Sequence, residues 1–370
     1  MDIGILKETR AREHRVALTP SGGKALVQQG HRLWVETGAG TSAGHADADY
    51  QSAGATIAYS RHEILARTGI VAGVFAPDPR EYEMLSPGQI IFGFWGLPAA
   101  RAEDVQALMK REVTAVGLEA IEDGAGRAPI LISMSEIAGG LAITLGAGLL
   151  LNDFGGKGIL FGGAPGVPPA QLVVIGAGTL GRSAAQAAIG AGANVTLLDS
   201  SVEALRVAVG SLSGRVATMM ATRPNVEKAL SFADLVLGAA AVHGQRAPVV
   251  ITRAMLGLMR PRSVILDLSI DMGGCCETSR PTAFPSPTYE VDGIIHCCVP
   301  NLPSTAARSA TLALTNAVLP FLIEMAGEGI DGALASHPGL ARGVYLLNGR
   351  CVKESLARAF GLRSSVAGEE

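Results

Sequence analysis

An excess of basic residues is missing: 30 Lys and Arg stand against 33 Asp and Glu, a formal charge of −3. Nothing electrostatic draws such a chain to nucleic acid or to an anionic membrane, so the expected partner is a small molecule. Charge of either sign is scarce, at 17% against 48% hydrophobic residues. That balance excludes a disordered chain and describes one that buries much of its surface in folded cores. Only the tail SSVAGEE reads as disordered. Cysteine is sparse too, with Cys275, Cys276, Cys297, Cys298 and Cys351 and no C-x-x-C spacing, which leaves no zinc or redox pair to expect. Neighbouring cysteines rarely bond to each other, so reduced, buried thiols of a cytoplasmic protein are the reading, and no metal site is expected. The opening MDIGILKETR lacks the apolar core of a signal peptide. The longest weakly polar run, Ile137 to Leu151, holds four glycines and reads as too short to span a bilayer.

What is present is length and alternation. At 370 residues two domains are the natural expectation. Apolar runs DIGIL, HRLWVETG, GIVAGVF, QIIFGFW and TAVGLEAI alternate with helical stretches near 21–29, 47–53 and 101–111, the rhythm of a mostly parallel sheet. The texture changes near Met134: a small-residue helix runs to Leu151, and the cluster FGGKGILFGGAPGVPPA at 154–170 breaks regular structure. A second alternating block then supplies strands at QLVVIGAG, NVTLLD, GRVATMM, ADLVLGAA and SVILDLS, as in a doubly wound nucleotide-binding domain. After Arg308, TLALTNAVLPFLIEMAG reads as a long amphipathic helix that returns to the first domain. The expected fold is α/β with two Rossmann-like domains: a central, doubly wound nucleotide-binding domain at 131–308 and a discontinuous domain at 1–130 and 309–370.

The strongest local signal is LVVIGAGTLGRSAAQAAIGAGANVTLLD. In the turn Gly176-Ala177-Gly178-Thr179-Leu180-Gly181, the first glycine allows the tight bend. The second lets the backbone approach a pyrophosphate, and the third lets helix and strand pack closely. Free N–H groups at the following helix start face the phosphates. Asp199, eighteen residues beyond Gly181, ends the next strand and is suited to the ribose hydroxyls, which favours NAD over NADP.

The segments GILKETRAREHRVALTP, VETGAGTSAGHADADYQSAGA, GGKGILFGGAPGVPPAQLVVIGAGTLG and DMGGCCETSRPT together resemble the alanine dehydrogenase family, whose architecture is shared by the NAD-binding part of transhydrogenase. The resemblance runs from Met1 to about Leu362. It implies a substrate domain built from both chain ends, a homo-oligomer (a hexamer in the family), and reversible oxidative deamination of an amino acid. It implies Arg15 as the clamp on a substrate carboxylate, a task that suits a forked and permanently charged guanidinium. It also implies Asp271 and Asn301 beside the nicotinamide, and Ser135, Thr179 and Leu180 as further cofactor contacts. Two family residues are replaced on this alignment. Phe75, in Val74-Phe75-Ala76-Pro77, stands in place of a catalytic lysine. Gly96, in Gly93-Phe94-Trp95-Gly96-Leu97, stands in place of an acid–base histidine. Gly140 stands where an arginine is frequent. His14 and His243 are the histidines left as substitutes.

A glycine cannot move a proton, and loss of the lysine removes an electrostatic contribution of order a few kcal/mol to the barrier. Phe75, Trp95 and Gly96 then describe a reshaped pocket for a larger or less polar carboxylate substrate, with Asp271 or the substrate itself as acid and base. Three readings follow: an amino-acid dehydrogenase or imine reductase of altered specificity, a true alanine dehydrogenase with a relocated acid–base group, or a non-catalytic NAD-binding homologue.

Overall fold

The computed structural model describes residues 1–97, 100–214, 216–241 and 246–362. His243 and the tail SSVAGEE lie outside them. Its contacts divide into two units, 1–134 with 304–370, and 135–303.

The first unit begins with β1 (Asp2–Ile5), α1 (Pro20–Gln28), β2 (Arg32–Glu36), α2 (Asp47–Ser52), β3 (Thr56–Ala58), α3 (Arg61–Arg67), β4 (Ile70–Phe75), β5 (Ile90–Phe94), α4 (Ala102–Lys110) and β6 (Thr114–Gly117). Thr19 caps α1 by accepting the Gly22 N–H, with Pro20 preset for the first helical position. The buried strands read as near-continuous apolar runs because helices cover parallel sheets on both faces. Between Ala72 and Phe75 the pairing of β4 with β5 slips register. Gly73 and Gly93 permit this, since a Cβ on either would meet Phe75 backbone within 2.5 to 2.9 Å. Such bulges re-aim side chains, and this one re-aims Phe75.

Helix α5 (Pro129–Leu149) contains the division at Met134. The second unit continues with β7 (Gln171–Ile175), α6 (Thr179–Gly190), β8 (Asn194–Asp199), α7 (Val202–Ser211), β9 (Ala217–Met220), α8 (Arg223–Phe232), β10 (Leu235–Gly238), β11 (Val264–Asp267), β12 (Thr288–Val291) and β13 (Ile294–Cys297). Its seven-stranded sheet has the order β12-β13-β11-β10-β7-β8-β9, parallel except for β12. The hairpin β12–β13 turns on Asp292 and Gly293, both at positive φ (50° and 78°), the Asp-Gly signature of a tight hairpin.

The chain returns to the first unit through α9 (Ala307–Ser336), α10 (Pro338–Gly343), the antiparallel β14 (Val344–Leu347) and β15 (Arg350–Cys351), and α11 (Glu354–Phe360). The completed sheet is ordered β15-β14-β6-β5-β4-β1-β2-β3. Gly329, at φ 72°, interrupts α9 and splits it into two helical lengths. Helix α5, at 21 residues, is longer than the apolar run that contains most of it, so its length does not exclude a bilayer span; the α9 region also passes by length and composition. Both helices contribute to packed cores, α5 through Ala142, Ile143 and Leu149 and α9 through Leu314, Val318 and Leu322. All five cysteines are buried. Burial pushes their thiols above the ordinary range, the Cys297 thiol to about 12.

Candidate functional site

In the second unit the carboxyl ends of the parallel strands carry the chemistry. The order reverses at β7, which lies between β10 and β8, and ligands of doubly wound sheets bind at such a switch point. Gly176, at φ 114°, allows the turn after β7 to press on the chain after β10, since a Cβ there would lie 2.3 Å from the Ala239 carbonyl oxygen. A Cβ on Gly181 would lie 1.9 Å from the Gly176 oxygen. Gly178 differs from both, because a Cβ there would meet no protein atom within 4 Å and would fill open space at the start of α6. Among the described residues no side chain caps α6, so its first N–H groups could serve a ligand. Asp199 Oδ2 accepts the Ala177 N–H (2.7 Å) and Oδ1 accepts the Ser201 N–H (2.8 Å). This ties the second strand's carboxylate to the glycine turn while leaving lone pairs for ribose hydroxyls. An open glycine cradle, an uncapped helix and a fixed carboxylate fit a dinucleotide without a 2′-phosphate.

Asp271 follows β11 and Asn301 follows β13. Both Asp271 carboxylate oxygens lie 3.2 Å from the Asn301 nitrogen, whose N–H they accept, and Asn301 is held at φ 50°. Asp267, the last residue of β11, is fully buried and accepts the N–H groups of Ser269, Cys275 and Cys276 and the Ser279 hydroxyl. It holds the GGCC loop rather than serving a ligand. Ser135 is half-buried at the start of the second unit.

In the first unit the candidates gather at the carboxyl ends of four neighbouring strands, β1, β4, β5 and β6. Arg15 is buried, and its Nε and Nη2 donate to Glu13 Oε1 (2.8 Å) and Oε2 (2.7 Å) in a fork that fixes the guanidinium plane. Its Nη1 lies 3.2 Å from Met134 Sδ. The Phe75 ring centroid is 5.9 Å from Arg15 Cζ and 3.9 Å from Arg10 Cζ, and Phe94 packs beside it at 6.2 Å. Glu8 Oε1 accepts the N–H groups of Val74 (2.7 Å) and Phe75 (3.3 Å).

Trp95 does not join this group. Its side chain is buried in a separate core cluster with Tyr82 and Leu97, and its Nε1 donates to the Ile91 carbonyl. It is a core residue: Phe94, the last residue of β5, faces Phe75, and Trp95, one residue on, faces the other way. Gly96 is exposed at φ 60°, with its N–H donated to Glu119 Oε1 (2.9 Å), and Glu119 also accepts the Tyr345 hydroxyl. His14 is exposed and lines a depression of about 320 Å3 with Ser304 and Arg308. A Cβ on Gly140 would meet open space. Glu8, Arg10 and Glu13 escaped the sequence reading. The signal was the charge-dense stretch LKETRARE just after β1, at the sheet edge where sites form.

Two Rossmann-like units, one with this glycine turn and the Asp199 carboxylate tied to it, define an NAD-binding oxidoreductase. The family model for the alanine dehydrogenase/PNT N-terminal domain matches residues 4–138, and that for the C-terminal domain matches 142–354. The chain belongs to the alanine dehydrogenase/PNT family, whose members use NAD. It is 42% identical to an alanine dehydrogenase of Halomonas elongata and 40% identical to one of Mycobacterium tuberculosis, in each case over 98% of this chain and 97% of the relative. A solved L-alanine dehydrogenase superposes with a TM-score of 0.93 at 39% identity, covering 98% of this chain and 99% of that one.

Proposed function

We propose that the protein is an NAD(H)-dependent amino-acid dehydrogenase or imine reductase whose substrate is larger or less polar than alanine. The observation that carries this reading is the pairing of a retained carboxylate clamp with an apolar wall: Arg15, fixed by Glu13, lies 5.9 Å from the Phe75 ring. In this reading the first unit binds the carbon substrate and the second holds NAD through Gly176, Gly178, Thr179, Leu180, Gly181 and Asp199, with Ser135, Asp271 and Asn301 as further contacts. NAD when bound supplies the hydride acceptor for the substrate carbon. Arg15 binds and orients the carboxylate; its Nη1 lies 3.2 Å from the Met134 thioether, a weak acceptor beside which a carboxylate is the stronger partner. Phe75 and Phe94 exclude water beside it. Phe75 and Gly96 stand where the family resemblance puts a lysine and a histidine, so the polar half of an alanine-sized pocket is absent from those two positions.

A second reading, L-alanine dehydrogenase with its acid–base group relocated, is supported by the names of the relatives at about 40% identity. The active form is proposed to be a homo-oligomer, a hexamer on the family resemblance. The test is NADH formation with L-amino acids from alanine to aromatic ones, run also in reverse with 2-oxo acids and ammonia or primary amines. Turnover confined to larger side chains supports altered specificity, and robust turnover of alanine supports the second reading. NADH binding with no turnover anywhere overturns both.

A further inference from the structure

The reading above leaves the first unit without the histidine that would move protons. One group at the same sheet edge has the geometry for that task. Glu8 follows β1, and its Oε1 is pinned by the N–H groups of Val74 and Phe75 at the β4 bulge. Among the described residues no donor reaches Oε2. A carboxyl with one oxygen fixed by backbone and the other unclaimed is positioned without being neutralised. Its surroundings are mixed: Glu13 lies near but is forked to Arg15, Arg61 lies near but is ion-paired to Glu36 and Glu81, and the Arg10 guanidinium is stacked on Phe75. Among the described residues no cation is directly paired with Glu8. Burial first, and then the Glu13 charge, push its carboxyl up to about 7, against the opposing pull of the two N–H groups and of Arg61.

We propose that Glu8 is the general acid–base residue of the substrate site, taking and returning a proton at the substrate nitrogen through Oε2. The proposal rests on the dehydrogenase reading and deepens it. In the oxidative direction the substrate's ammonium N–H bond breaks and an O–H bond forms on Glu8. This leaves a neutral amine whose lone pair is available to form the C=N bond when hydride leaves the carbon. The step is a proton transfer alone, and the reverse reaction returns the same proton.

The test uses the full chain in two measurements. Glutamate carboxyls labelled with 13C are titrated, and Glu8 is identified as the resonance lost in Glu8→Gln, a variant that still accepts the Val74 and Phe75 N–H groups. The expected midpoint is near 7, and a midpoint in the ordinary carboxylate range overturns the proposal. The pH profile of oxidative kcat/KM, on whichever amino acid the panel identifies, should fall on the acid side as Glu8 protonates. Glu8→Gln should lower kcat/KM by about 100-fold or more and erase that limb, with NADH affinity unchanged. Glu8→Asp, which keeps the charge at shorter reach, should recover part of the rate and the limb. A Glu8→Gln enzyme that keeps both rate and limb overturns the role of Glu8 while the dehydrogenase reading stands. A wild-type chain that binds NADH and turns over nothing overturns that reading, and the role of Glu8 with it.

Discussion

The guanidinium carbon of Arg10 lies 3.9 Å from the centroid of the Phe75 ring, so a cation covers the face of a residue that stands where the family resemblance puts a lysine. The positive charge is carried by a neighbour and the ring supplies the apolar wall. Phe75→Lys would put an ammonium group beside Glu8, and an opposite charge within reach favours the ionised carboxylate. The Glu8 midpoint should fall by about 1 to 3 pH units, read by carboxyl titration. An unmoved midpoint would mean that the new ammonium points elsewhere.

Glu8 also links stability to pH. Its folded-state carboxyl titrates near 7, above the usual 4.5, so the folded chain binds the extra proton between those values. The contribution is complete below 4.5 and is lost as pH rises through 7. Glu8→Gln, which cannot ionise, should therefore gain stability relative to wild type between pH 5 and pH 8 in urea unfolding. A constant difference across that window would show that Glu8 is not perturbed.

The two glycines of the turn make opposite predictions. Gly181→Ala puts a methyl group 1.9 Å from a carbonyl oxygen and should destabilise the second unit, seen as an early thermal transition. Gly178→Ala meets nothing within 4 Å, and should leave that transition in place while weakening NADH binding tenfold or more by occupying the pyrophosphate approach. Calorimetry with and without NADH separates the two.

Asp199→Ala removes a carboxylate that accepts two backbone N–H groups and is proposed to contact the ribose. Hydrogen bonds to charged groups contribute about 1.5 to 3 kcal/mol each. NAD affinity should fall by more than tenfold and the preference over NADP should shrink, as measured by isothermal titration. Unaltered NAD affinity would remove Asp199 from the ribose contact.

Arg15→Met leaves the Glu13 carboxylate buried without its fork and should cost about 3 to 5 kcal/mol in unfolding free energy. The double variant Glu13→Gln with Arg15→Met removes both charges and should be the more stable of the two, yet equally unable to turn over a carboxylate substrate. Equal stability of single and double variants would mean that Glu13 finds another cation or solvent.

The cofactor turn was legible because its chemistry is local: glycines, helix start and carboxylate fall within one strand–helix–strand length. The five strands read for that unit are all present, and the Asp-Gly hairpin of β12 and β13 went unread although its turn signal is local as well. Short β3, α3 and the β14–β15 hairpin were likewise missed, being too brief to show periodicity.

Sequence by itself determined the α/β class and the NAD-binding character of the second unit, since these depend on residue type and spacing along the chain. Only the tertiary structure decided which side chains meet. It sent Trp95 into the core and brought Glu8 to the β4 bulge beside Phe75, 67 positions away in the chain. Parallel strand order sets such meetings: β1 and β4 are neighbours in the sheet though far apart in sequence, and no local pattern encodes that adjacency.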